Sequence, residues 1–178
     1  MSSLNQLISE IAHSVQQADS VPVRRAIREG IIHARNELIR HSYSNHNYTD
    51  KVLKQRFNLE LVEVNDGDIK TDTGAKIKRS ANKVPRPVRL TNNLPFDRVS
   101  SAGFKTNREF PYIKETSARF RSAVPGLCGM PCYDYINEYI YIFPAGNKSF
   151  DLNSIVIEAA FEHPTEVAIS SGMSNIDD

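Results

Sequence analysis

An α+β fold is predicted: an N-terminal helical hairpin, then a small antiparallel β domain that carries a long extended basic arm. Three observations predict it. Apolar residues recur at helical spacing through the first third of the chain. After Arg56 the period drops from about 3.6 to about 2. Between the first β-like run and the last ones lies a basic stretch, about 70–108, with prolines and few large apolar side chains. The expected organisation is a helical region over 1–56, a β-rich domain over 57–169 that includes the arm, and a flexible acidic tail over 170–178.

The elements follow in order. Leu4, Leu7, Ile8, Ile11 and Val15 form one apolar stripe. Ser3, with Gln6 three residues on, fits a capping box in which each side chain satisfies an orphan N–H of the first turn. The polar break Gln17-Ala18-Asp19-Ser20 ends this helix, and Ser20 can cap the next. Pro22 is tolerated there because a first-turn N–H has no helical partner to lose. The second helix is expected from about Val21 to about Ser42, with Val23, Ile27, Ile31, Ala34 and Leu38 on its core face and packed on the first stripe. Arg24, Arg25, Arg28, Arg35 and Arg40 read as a solvated face, with Glu29 and Glu37 placed for i,i+4 pairs. A polar loop over 42–48 and a short helix capped by Thr49 and ending at Arg56 follow.

Phe57, Leu59 and Leu61 alternate with Asn58, Glu60 and Val62, as in a half-buried strand. Asn65-Asp66-Gly67-Asp68 is a turn signal. Val84-Pro85-Arg86-Pro87-Val88-Arg89-Leu90 is extended and cannot be a central strand, because each proline removes a ladder donor. Such a segment is expected to cross a neighbouring subunit and be ordered by it. Tyr133–Ile136 and Tyr139–Phe143 are two strands joined by Asn137-Glu138, a hairpin; Pro144-Ala145-Gly146-Asn147 is a turn; Ser154 to Phe161 is the last strand.

A chain of 178 residues, 40% hydrophobic and 24% charged, is one domain or one with an appendage, large enough for a core without staples. No apolar run approaches the roughly 18 residues of a membrane span, and the N-terminus lacks a secretory pattern. No membrane partner is expected, and assembly belongs in a host cytoplasm. The net charge of +1 conceals a segregation. Residues 1–69 carry eight Lys/Arg and nine acids, 70–122 carry thirteen against four, and 123–178 carry one against eight. Opposed surfaces of this kind pair inside a monomer, or meet head to tail between copies to build a ring or filament. A basic face also suits nucleic acid.

Chemistry is thinly represented. Asp72-Thr73-Gly74 is the aspartic-protease tripeptide, but that mechanism needs two carboxylates sharing a proton, and a surface turn explains the residues. Cys128 and Cys132 have neither redox nor zinc spacing. Asp66 and Asp68 resemble a calcium loop whose bidentate Glu is replaced by Ile77. No phosphate loop or nucleophile triad is visible. No enzyme activity, metal or cofactor is therefore expected. The candidate interaction residues are Lys76, Lys78, Arg79, Lys83, Arg86, Arg89, Arg119 and Arg121 on the basic side, and Glu162 and Glu166 on the acidic side. Single-strand binders add stacking aromatics to such charge, and between Lys70 and Arg98 there is one, Phe96. A protein partner is the preferred reading, a nucleic-acid-binding module using 70–122 the alternative.

The segment Ile155-Val156-Ile157-Glu158-Ala159-Ala160-Phe161-Glu162-His163-Pro164-Thr165-Glu166-Val167 resembles the terminal strand and turn of tailed-phage neck and tail proteins. Together with the strands over 133–143 and the layout of helices, basic arm and β-rich end, it resembles the head-to-tail connector (ring or adaptor) proteins of short-tailed phages, of the crAss-like type. The resemblance implies a virion structural protein in a twelvefold ring below the portal, around the DNA channel. Its partners would be itself, the portal protein and other tail or ring proteins, with DNA contact in the channel. It brings no catalytic residues.

Overall fold

The computed structural model describes residues 3–64, 77–102, 108–118, 130–144 and 152–170. Its first element, α1 (Leu4–Ser14), begins at the expected capping box: Ser3 Oγ accepts from the Gln6 N–H at 3.2 Å, and Gln6 Oε1 accepts from the Ser3 N–H at 2.9 Å. Ile8 and Ala12 are buried, while Leu4, Leu7 and Val15 stay exposed. The helix packs on α2 (Val21–His46) as a hairpin, with Arg24 reaching back to Ser9 Oγ and the Ala18 carbonyl. Ser20 occupies the N-cap position of α2, but its side chain makes no capping bond.

Two features of α2 differ from expectation. It runs four residues past Ser42, because buried Tyr43 anchors the last turn and Asn47, in the left-handed region at φ 59°, closes it. Its most buried residues are Asn36, Ile39 and Tyr43 rather than Ala34 and Leu38. The cause is tertiary. The helix packs on α1, and further along it lies against the arm and the residues after the last strand, where Ile39 packs with Val88 and Ala160. Polar bonds fix that seat: Arg35 Nη1 donates to the Phe161 carbonyl at 3.0 Å and Asn36 Nδ2 to the Glu162 carbonyl at 3.1 Å. The helix expected after Thr49 is a single 3-10 turn, Lys51–Leu53, capped by the Asp50 carboxylate on the Val52 N–H.

Among the described residues six strands form one antiparallel sheet: β1 (Gln55–Glu63), β2 (Lys78–Ser80), β3 (Arg98–Ser101), β4 (Cys132–Ile136), β5 (Tyr139–Phe143) and β6 (Ser154–Ala159), in the order β3-β6-β1-β2-β5-β4. In β1 the alternation is as expected, with Phe57, Leu59 and Leu61 inward and Asn58 and Glu60 outward. This strand changes partner midway. Gln55 to Glu60 pair with β6, whereas Leu61 to Glu63 pair with β2. The β4–β5 hairpin turns on Asn137 and Glu138, both at positive φ (51° and 69°), as a two-residue hairpin turn that follows the strand twist requires.

The sheet curls so that its two edges are stitched by one strip, residues 108–113. On β3, Phe110 N–H donates to the Val99 carbonyl at 2.8 Å, and Ser101 N–H to the Arg108 carbonyl at 3.0 Å. On β4, Ile113 N–H donates to the Tyr133 carbonyl at 2.9 Å, and Tyr133 N–H to the Pro111 carbonyl at 3.0 Å. Asp134 then accepts the Glu115 N–H at 2.7 Å, starting the helical residues 115–118. The result is a small closed barrel whose interior holds Phe57, Phe96, Tyr133, Ile140, Ile157 and Phe161. Among the described residues, the strip covers part of each edge strand, which shortens the edge open to another strand.

The arm is extended, as its prolines dictate, but its described part belongs to this chain's own core rather than to a neighbour. It supplies β2 and β3, and Val84, Val88, Phe96 and Val99 are each at most 2% exposed. Arm residues 86–88 continue the sheet beyond β6: Val88 N–H donates to the Ala160 carbonyl and Glu162 N–H to the Arg86 carbonyl. In Val84-Pro85-Arg86-Pro87-Val88-Arg89 the valines and prolines are buried and the arginines exposed. The pattern repeats every three residues, the period of an extended polyproline II segment rather than of a strand, and the prolines suit it because such a segment has no internal hydrogen bond to lose. A last helix, α3 (Pro164–Ser170), takes the place of the expected turn and buries Val167, with Pro164 at its first position. The turn at 65–68, Asp72-Thr73-Gly74, Cys128, the turn residues 145–147 and the tail 171–178 lie outside the described residues.

Candidate interaction surface

The candidate residues separate by how far the fold has already engaged them. Lys78 is 8% exposed, and its Nζ donates to the Leu152 carbonyl at 2.8 Å and Asn153 Oδ1 at 3.3 Å; it is a structural lysine. Arg79 lies over the Tyr139 ring, 4.6 Å from its centroid. Lys83 and Arg86 converge on one carboxylate, Glu138: Lys83 Nζ is 3.0 Å from Oε2, and Arg86 Nε 2.9 Å from Oε1. Arg89 is exposed. Lys76, Arg119 and Arg121 lie outside the described residues.

On the acidic side, Glu162 faces Arg40 of α2 at 3.5 Å, and Glu166 is exposed at the start of α3. The structure brings much of this set together. A cleft of about 540 Å³ is lined by Lys83, Arg86, Glu138, Glu162, His163 and Glu166. The basic arm and the acidic end therefore meet within one chain, because 86–88 pairs alongside 160–162. Hydrogen bonds from Lys83 and then Arg86 hold the Glu138 carboxyl below the usual carboxylate range, and the same bonds raise both bases. Burial lowers the Arg35 guanidinium from its ordinary value. It raises Tyr135, whose hydroxyl donates to the Val84 carbonyl at 3.0 Å, to about 12.

Sequence reasoning missed Glu138, which reads as a mere turn residue, and Arg40 and Arg35, which read as solvated. Only the fold puts Glu138 opposite the arm. The aromatic that could have stacked on bases, Phe96, is 2% exposed and packs against Tyr133, Tyr135 and Phe161. Among the described residues no group of three or more His, Cys, Asp or Glu could hold a metal ion, and no helix is long and apolar enough to cross a membrane.

No curated protein matches the chain. A family model does, described as phage tail ring protein 2, and the match runs over residues 6–178. Covered almost from end to end by that model, the chain belongs to the phage tail ring protein 2 family: it is a tail ring structural protein of the crAss-like phage type.

Proposed function

We propose that this protein is one subunit of a closed homo-oligomeric ring, twelvefold, in the head-to-tail connector. The ring lies between portal and tail and surrounds the DNA channel, and it acts by geometry and adhesion rather than by chemistry. Family membership carries the reading, since a tail ring protein associates with itself and with other tail proteins. The fold is consistent with it. Among the described residues the 108–113 strip bonds to both edge strands and so reduces the edge open to strand addition, which favours copies meeting through side-chain surfaces. Assembly takes place in the host cytoplasm, before the particle is complete.

The alternative of a free nucleic-acid-binding module loses support at two points. Phe96 is not available for stacking, and Lys78, Arg79, Lys83 and Arg86 are held by this chain's own groups. DNA contact in the channel is then made by exposed cations such as Arg89. Native mass measurement of the purified protein, alone and with the portal protein, tests the reading. A discrete ring of twelve copies on the portal is expected. A protein that stays monomeric with the portal present overturns it.

A further inference from the structure

A second cleft, of about 580 Å³, lies where α1, the start of α2 and the start of α3 converge. Ile8 and Ile32 give it apolar walls, and Arg24, Arg25 and Arg28 line it with three guanidiniums against two carboxylates, Glu29 and Glu166. Arg24 is committed to Ser9 and Ala18, which fixes that side of the cleft. Arg25 is exposed and Arg28 half-buried. Val21, the first residue of α2, also lines the cleft, and Ser20 places no side-chain cap over this helix end. The positive end of the helix dipole therefore adds to the arginines.

One segment of the chain suits this cleft. Residues 171–178, Ser-Gly-Met-Ser-Asn-Ile-Asp-Asp, contain two acids, two apolar side chains and no base. Ile176 stands directly beside Asp177 and Asp178, so one short stretch can seat an apolar side chain on Ile8 and Ile32 while its carboxylates meet Arg25 and Arg28. The segment follows α3, whose first turn already lines the cleft through Glu166. Eight residues reach about 26 Å when extended.

We propose that the arginine cleft at the α1–α2 base receives the acidic 171–178 segment of an adjacent copy, so that each ring subunit holds the tail of its neighbour. The contact is heterologous, cleft to tail, which is the type that closes a ring. This inference rests on the ring reading above.

Charge reversal tests it. Arg25→Glu/Arg28→Glu reverses the cleft, and Asp177→Lys/Asp178→Lys reverses the tail. With the portal protein present, each reversed protein alone should assemble about tenfold more weakly or worse, because like charges then face each other. A mixture of the two should recover assembly, since each tail then finds a complementary cleft on the other kind of subunit. Unchanged assembly by both reversed proteins overturns the proposal while leaving the ring intact. Recovery when all four substitutions share one chain, but not in the mixture, also overturns it, because the tail would then close on its own cleft. Failure of the unmodified protein to assemble on the portal removes the ring reading, and this inference with it.

Discussion

Glu138 holds the position at which local strain and tertiary contact are traded against each other. The second residue of its turn must be left-handed, which suits glycine and costs another residue about 1 kcal/mol. A glutamate stands there, and its carboxylate holds Lys83 and Arg86 together on the hairpin. Because its acidity is raised in the folded state, the ionised form favours folding. That contribution is complete above the unfolded value of about 4.3 and is lost as pH falls through the lower folded value. Urea midpoints of the unmodified protein and Glu138→Gln should therefore differ above about pH 5 and converge on acidification. A gap independent of pH would show that the carboxylate does not clamp the arm.

At the scale of the element, α2 divides its length between two partners. Its stripe at Val23, Ile27 and Ile31 is only half-buried near α1, while Ile39 is 2% exposed against the barrel and Leu38 is 71% exposed. Ile39→Ala should cost about 2–5 kcal/mol in denaturant unfolding, as other buried truncations do. Leu38→Ala should stay within about 0.5 kcal/mol for the isolated chain, as exposed substitutions usually do. The reverse ranking would mean that the helix is rotated by one residue from this packing.

For the molecule as a whole, closure and the wrapped arm make one prediction about the free, unassembled chain. The amides of Val84 and Val88 bond to the Glu138 and Ala160 carbonyls, and those of Phe110 and Ile113 stitch the barrel edges. All four should exchange slowly with solvent, with protection approaching that of global unfolding. Loop-like exchange at Val84 and Val88 alone would mean that a neighbouring subunit orders the arm. Fast exchange at Phe110 and Ile113 would mean an open sheet.

What the sequence determined by itself was local. The Ser3–Gln6 box, the alternation Phe57-Leu59-Leu61, the Asn137-Glu138 hairpin and the extended prolines of the arm depend on near neighbours and on fixed side-chain periods, and each is found where the residues put it. What only the tertiary structure decided depends on contacts between distant residues. Val84, Val88 and Phe96 are too widely spaced among charged residues to form an apolar run, so their common burial becomes visible only when β6 and the hairpin stand beside them. The face of α2 is set by a sheet more than a hundred residues away, through Arg35 and Asn36. The candidate surface follows the same division. Charge segregation is a property of the string, but which cation meets which carboxylate is a property of the fold: Arg86 meets Glu138 because the arm lies against the hairpin turn, and Arg40 meets Glu162 because α2 lies against the residues after the last strand.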